Sequence, residues 1–145
     1  MSHARQQIRD AVTAALVSVT ATVQKQRIWV LQQDELPLVG VYTSTEEDSL
    51  DEGASFGTLF RSLEVKVDLA VAGSTGEQSL NDLDDLAVEV ETDLGADRQL
   101  VNIMELLPVS TDVEQTTEGD TVISRMTMTF EAMYRTEIGK PEAII

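Results

Sequence analysis

Residues 58–73, TLFRSLEVKVDLAVAG, decide the fold. From Leu59 to Val71 the odd positions are Leu59, Arg61, Leu63, Val65, Val67, Leu69 and Val71. Between them stand Ser62, Glu64, Lys66 and Asp68. Alternation with period two defines a strand with one buried and one wet face. At twice the common strand length of about 5–6 residues, it predicts a neighbour on each edge and an apolar layer over its odd-numbered face.

Upstream, Ser44–Gly57 (STEEDSLDEGASFG) reads as a long acidic loop with little to bury except Leu50 and Phe56. Leu38–Thr43 before it reads as a strand, with Gly40 marking a bulge or the close approach of another backbone. Asp34–Pro37 is a turn. Ile28–Leu31, with the single Trp29, reads as an edge strand, and Gln24–Gln26 as a polar break. The chain opens with a predicted helix over Ala4–Val23, whose apolar stripe is Ile8, Val12, Leu16, Val19 and Val23. Its β-branched content weakens its own propensity, so it depends on docking to a sheet.

Downstream, Ala72–Gly76 leads into a second helix over Glu77–Leu94, with Leu80, Leu83, Ala87, Val90 and Leu94 on one face. Ser74 or Ser79 is placed to cap its start, and Gly95 to end it. Arg98–Asn102 connects to a strand over Ile103–Gln115, with Leu107, Val109 and Val113 on one face and Pro108 suggesting an edge. Glu118-Gly119-Asp120 is a hairpin turn. Thr121–Thr136 is the last strand, with Val122, Met126, Met128, Phe130, Ala132 and Tyr134 on its apolar side. Glu137–Ile145 reads as a mobile, frayed tail or as a strap that orders on a neighbour. The expected architecture is α+β: a single domain with an antiparallel or mixed twisted sheet of about five strands and two helices packed on one face.

The 145 residues suffice for a real core, and 4% aromatic content makes that core aliphatic. There is no cysteine, so disulfides and zinc–thiolate sites are excluded. The absence of a long apolar run and of a signal-peptide pattern leads us to expect a soluble protein made in the cytoplasm, away from membranes. The net charge is −16, which argues against gripping nucleic-acid phosphates. That charge is uneven. Residues 1–27 carry Arg5, Arg9, Lys25 and Arg27 against Asp10. Residues 77–97 carry Glu77, Asp82, Asp84, Asp85, Glu89, Glu91, Asp93 and Asp97, with no Lys or Arg. Opposite fields on one small protein suit head-to-tail contact between copies.

Catalysis finds little support. The single histidine, His3, lies near the terminus, and no cysteine nucleophile exists. Glu46, Glu47, Asp48, Asp51 and Glu52 supply carboxylates, but nothing nearby promises the burial that acid–base chemistry needs. Neither that cluster nor Asp82–Asp85 has the spacing of a calcium loop, and no phosphate-binding glycine loop occurs. No cofactor is expected and no metal site is assigned. A small acidic enzyme or metal-binding domain stays as the alternative from another class.

In order and spacing, the elements resemble the tail terminator proteins of long-tailed phages, the minor tail protein U group. SHARQQIRDAVTAALVSV resembles that family's first helix, and LPLVGVYTSTEED its strand entering an acidic loop. RSLEVKVDLAVAG with SLNDLDDLAVEVETDL resembles its central strand and second helix, and ISRMTMTFEAMYRTEIGKP its closing strand. The resemblance implies a non-enzymatic virion protein. It would form a hexameric ring on the head-proximal end of the tail tube, stop tube polymerisation and offer a surface to the head–tail connector. The partners implied are other copies of the chain, the major tail tube protein and the connector, with DNA passing through unbound. On this view Glu46, Glu47, Asp48, Asp51 and Glu52 form a contact loop for tube or neighbour. Arg5 and Arg9 face Asp82, Asp85 and Glu89 across subunits. Glu64, Lys66 and Asp68 form an interface or channel face. Another virion connector, at the neck, is the alternative reading.

Overall fold

A computed structural model describes residues 2–29, 33–50, 57–97 and 99–145, of Gln33 the backbone alone. The elements in chain order are α1 (Ala4–Ala15), β1 (Thr22–Gln24), β2 (Leu38–Leu50), β3 (Thr58–Gly73), α2 (Gly76–Ala96), β4 (Glu105–Glu118) and β5 (Thr121–Glu137). Short 3₁₀ turns occupy Gln33–Glu35 and Leu100–Asn102. The five strands form one mixed sheet in the order β1-β2-β3-β5-β4. All pairings are antiparallel except β1 with β2.

β3 is the centre of this sheet, as its alternation requires. Its odd-numbered residues Leu63, Val65, Val67 and Leu69 are buried beside Met126, Met128, Phe130 and Ala132 of β5. Both helices cover this face: Ile8 and Val12 of α1 with Leu16 just beyond it, and Leu83, Leu86, Ala87, Val90 and Leu94 of α2. Each fully buried aliphatic side chain contributes about 1.5–3 kcal/mol. Thr75 caps α2, its hydroxyl accepting from the Gln78 N–H at 3.1 Å. Ser79 lies inside instead and donates to the Ser124 hydroxyl at 2.6 Å, which also accepts from Gln115 at 2.9 Å. The α2 entry is thereby tied to the β4–β5 hairpin. Gly95 stays within α2, which ends one residue later.

Several expectations are corrected. The first helix stops at Ala15, not Val23. Beyond it, Asp93 accepts from the Ser18 N–H at 2.9 Å and Glu89 from the Thr20 N–H at 2.9 Å. Residues 22–24 then enter the sheet as a parallel edge strand. The β-branched run from Val17 to Val23 prefers this extended path to more helical turns. Ile28 and Trp29 form no strand, and Val30 and Leu31 lie outside the described residues. Residues 44–50, read as loop, continue β2; residues 51–56 lie outside the described residues. In β4 an extra residue between Pro108 and Ser110 resets the alternation, so Leu107 and Val113 point to opposite faces and Leu106 is the core contact.

The C-terminal residues are neither frayed nor laid on a neighbour: they fold back as a strap on their own chain. Ile145 N–H bonds the Arg135 carbonyl at 3.0 Å, and Ile144 bridges Thr136. The Pro141 carbonyl accepts the first N–H of α1, from Ala4, at 2.8 Å.

Gly40 marks a close approach. A Cβ there would overlap the Gln26 carbonyl oxygen and lie 3.1 Å from Ile28 Cγ1. Gly40→Ala is therefore expected to lower the unfolding free energy by about 1–3 kcal/mol in urea titration. An unchanged midpoint would show that the 26–28 segment yields freely.

Candidate functional site

Three polar groups hold the candidate residues, and the first lies under the start of α1. In β2 an irregularity between Thr43 and Glu46 inserts one extra residue. Before it, Val39, Val41 and Thr43 lie on the helix-bearing face; after it, Glu46, Asp48 and Leu50 do. Glu46 is thus turned inward. Its carboxylate accepts from Arg61 Nη1 at 3.0 Å and from the Tyr134 hydroxyl at 2.5 Å. Arg61 Nε donates to Thr136 Oγ1 at 2.9 Å. The side chains of Arg61 and Glu46 are only 9% and 5% exposed. Burial first, then the Glu46 bond, pushes the Tyr134 hydroxyl well above its ordinary range.

At the rim of this group, Asp48 lies 3.7 Å from Arg61 and Arg5 lies 3.8 Å from Glu46. Burial, then the adjacent Glu46 carboxylate, raises the Asp48 pKa against the pull of Arg61. His3 caps α1, its Nδ1 accepting from the Arg5 N–H at 3.1 Å, and burial followed by Arg5 lowers its pKa. Glu47 is exposed, on the other face. Asp51 and Glu52 lie outside the described residues.

The second group lies on the opposite sheet face. Asp68 is 2% exposed. It accepts from Thr127 Oγ1 at 2.9 Å, from the Ile28 N–H at 3.4 Å and from the Tyr42 hydroxyl at 3.4 Å. Arg125 donates to the Ile28 carbonyl at 2.9 Å. Both peptide groups of Ile28 are held, and its side chain packs on Leu38 and Ala70. Asp68 is therefore a clasp for this segment, while Glu64 and Lys66 stay half-buried at the surface. Glu64 accepts from Ser44 at 2.9 Å, and Glu131 accepts from Ser62. Glu47, Glu64 and Glu131 line one cleft of ≈ 210 Å³.

The third group is the acidic side of α2. Asp82 and Asp85 are exposed. Glu89 is half-buried and occupied by Thr20. Among the described residues no ion pair joins Arg5 or Arg9 to Asp82, Asp85 or Glu89. Nor does any group of three or more His, Cys, Asp or Glu among them stand where it could hold a metal ion, and no helix is long and apolar enough to cross a membrane. Sequence reading missed Tyr134 and Thr136 as partners. The one signal was Arg61 itself, since an arginine within an apolar alternation calls for a buried acceptor.

Removing one member of a buried pair strands the other. Arg61→Leu is expected to cost about 3–5 kcal/mol, and Arg61→Leu with Glu46→Leu less than Arg61→Leu alone. A double-mutant cycle in urea checks this; additive losses would refute the pairing. The raised Asp48 pKa means that the folded state binds the proton more tightly than the unfolded state. Stability from this group is therefore full below the ordinary carboxylate pKa and is lost as pH rises through the raised value. Asp48→Asn should raise the melting temperature at pH 7, with the gain vanishing in acid. A gain independent of pH would contradict the assignment.

No family model matches the chain, and no curated protein matches it. Among solved structures it is similar to a chain described as "Virion of native gene transfer agent (GTA) particle". The TM-score is 0.51 at 21% identity, over 92% of each chain. The likeness extends to nearly the whole of both chains, and at this identity it is a likeness of fold.

Proposed function

We propose that this chain is a structural, non-enzymatic virion protein that acts as a tail terminator. It forms a ring of six copies on the head-proximal end of the tail tube, stops polymerisation and presents a surface to the head–tail connector. The observation that carries the reading is the fold shared over 92% of each chain with a chain of a gene transfer agent virion. The family resemblance of the sequence elements points the same way.

The sheet edges support assembly. β1 covers only Leu38–Gly40, so Val41–Leu50 has no strand on its outer side among the described residues. Among the described residues the outer edge of β4 is equally open. Long open edges are usually blocked unless they are used. β2 and β4 run in opposite senses, because three antiparallel pairings separate them. The β4 of one copy can therefore continue the antiparallel order beside the β2 of the next. Such a heterologous contact makes a ring when its rotation closes.

In that ring the helices face outward, and Glu64 and Lys66 face the channel with Glu47 and Glu131. Carboxylates there would repel phosphate and let DNA pass unbound. Asp82 and Asp85 stand open to Arg5 and Arg9 of a neighbour, with Glu89 at their margin. Asp48 near the end of β2, with Asp51 and Glu52 next in the sequence, would supply the contact with the tube. Both the tube protein and the connector are partners on this reading, and the virion tail is its location.

Electron microscopy of particles assembled without the chain should show overlong tails; tails of normal length would refute the reading. Immunogold label on a neck component instead of the last tube ring would favour another connector. Val113→Lys, at an exposed position of β4, should abolish ring formation at an unchanged melting temperature. Rings that persist would exclude the β4 edge.

A further inference from the structure

The two open edge strands each carry one extra residue, and the two leave the same mark. In β2, Thr43 and Glu46 both lie on the helix-bearing face, opposite Val65 and Leu63. Between them, Ser44 donates to Glu64 and Thr45 lines the wet-face cleft with Glu47 and Glu131. Two successive residues of β2 therefore belong to the wet face. In β4, Pro108 lines an apolar recess with Leu94 and Phe130, and Thr111 pairs with the core residue Met128. Between them, Val109 lines the wet-face cleft, and Ser110 pairs with Thr129 of that same cleft. β4 has its own doubled wet-face residues. The pairing of β3 with β5 inside the sheet contains no such shift.

Residues opposite each other in an antiparallel ladder point to the same face. A ladder between β2 of one copy and β4 of the next keeps that rule along its whole length in one register: Ser44 opposite Ser110 and Thr45 opposite Val109. Thr43 then opposes Thr111 and Glu46 opposes Pro108, helix-face residues in both cases. A slip of two residues one way sets Thr43 against wet-face Val109, and a slip the other way sets Glu46 against wet-face Ser110. A slip of one residue inverts every pair.

We infer that neighbouring copies of this chain join in this register, with the doubled residues of the β2 edge seated against those of the β4 edge. The inference rests on the assembly reading above and fixes its contact residue by residue. The surface agrees with it. Val113, 49% exposed, comes opposite Val41 on the helix-bearing face. Exposed Asp112 comes opposite Tyr42, and the Arg27 guanidinium lies 5.8 Å from the centre of that ring, so opposite charges meet across the seam. Within one copy Ser110 is level with Tyr42, through Thr129 and Lys66. Each joint therefore offsets one copy from the next by two residues, and a sheet that closes on itself requires a fixed stagger of its strands.

The chain has no cysteine, so engineered pairs read the register directly. Val109→Cys chains are mixed under mild oxidation with Thr43→Cys, Thr45→Cys or Glu47→Cys chains, and the heterodimers are followed on non-reducing gels. A disulfide needs Cα atoms within about 7 Å, and only the directly opposed pair meets that without movement. Thr45→Cys should cross-link roughly tenfold faster than the other two. A fastest pair at Thr43→Cys or Glu47→Cys, or equal rates for all three, overturns the register while rings of the parent chain leave the assembly reading standing. A parent chain that stays monomeric, alone and with tail tubes, overturns both.

Discussion

The unbroken pairing of β3 with β5 is the constraint on which the rest depends. It runs from Thr58 opposite Glu137 to Gly73 opposite Val122 without a register shift. Side chains alternate with period two, so an unslipped pairing ties the parity of one strand to that of the other. Once Leu63, Val65, Val67 and Leu69 face the helices, Met126, Met128, Phe130 and Ala132 must do so too. A slip of one residue would bury Lys66 and Glu64 and expose the valines. The cost would fall on every contact of the core at once, and the register is correspondingly well determined.

That constraint explains which parts of the chain were legible. β3, β5, the body of α2 and the hairpin between β4 and β5 follow from periodicity, because each keeps one period over many residues. The outer strands break their period. The extra residues near Ser44 in β2 and Val109 in β4 leave composition unchanged but swap faces. Glu46 consequently reads as a loop carboxylate and is found under α1. The end of α1 was misread for a related reason. Val19 and Val23 keep helical spacing, but the partners that hold Ser18 and Thr20 are carboxylates of α2 more than sixty residues away. Such long-range bonds leave no local mark in the sequence.

The buried Arg61–Glu46 pair sits where this architecture is weakest. α1 spans only 12 residues, too few to be stable alone. Its start is held by three things that converge: the His3 cap, the Pro141 carbonyl of the strap, and the charged group beneath. An apolar replacement of the pair could pack as well, since ion pairs gain little once desolvation is counted. What the charges add is direction. Arg61 offers donors to Glu46 and Thr136 at set angles, and Tyr134 completes the carboxylate. The bulged end of β2 and the last turn of β5 are thereby aligned under one helix terminus.

The same geometry bears on the net charge of −16. Copies so acidic repel one another at long range, and salt screens that repulsion beyond about 8 Å. Close contact must then overcome what remains, and the two faces of the sheet divide the task. The helix-bearing face keeps its cations, Arg5 and Arg61, beside the β2 edge and leaves Asp82 and Asp85 exposed on α2. Arg61 is spent on Glu46, so in the proposed head-to-tail contact Arg5 is the cation that would meet Asp82 and Asp85. On the other face the Glu47, Glu64 and Glu131 carboxylates gather around one cleft. Stacking two such faces would concentrate like charge, so face-to-face association is disfavoured. In the proposed ring, acidity would thus favour joining at the edges, with the wet face left free.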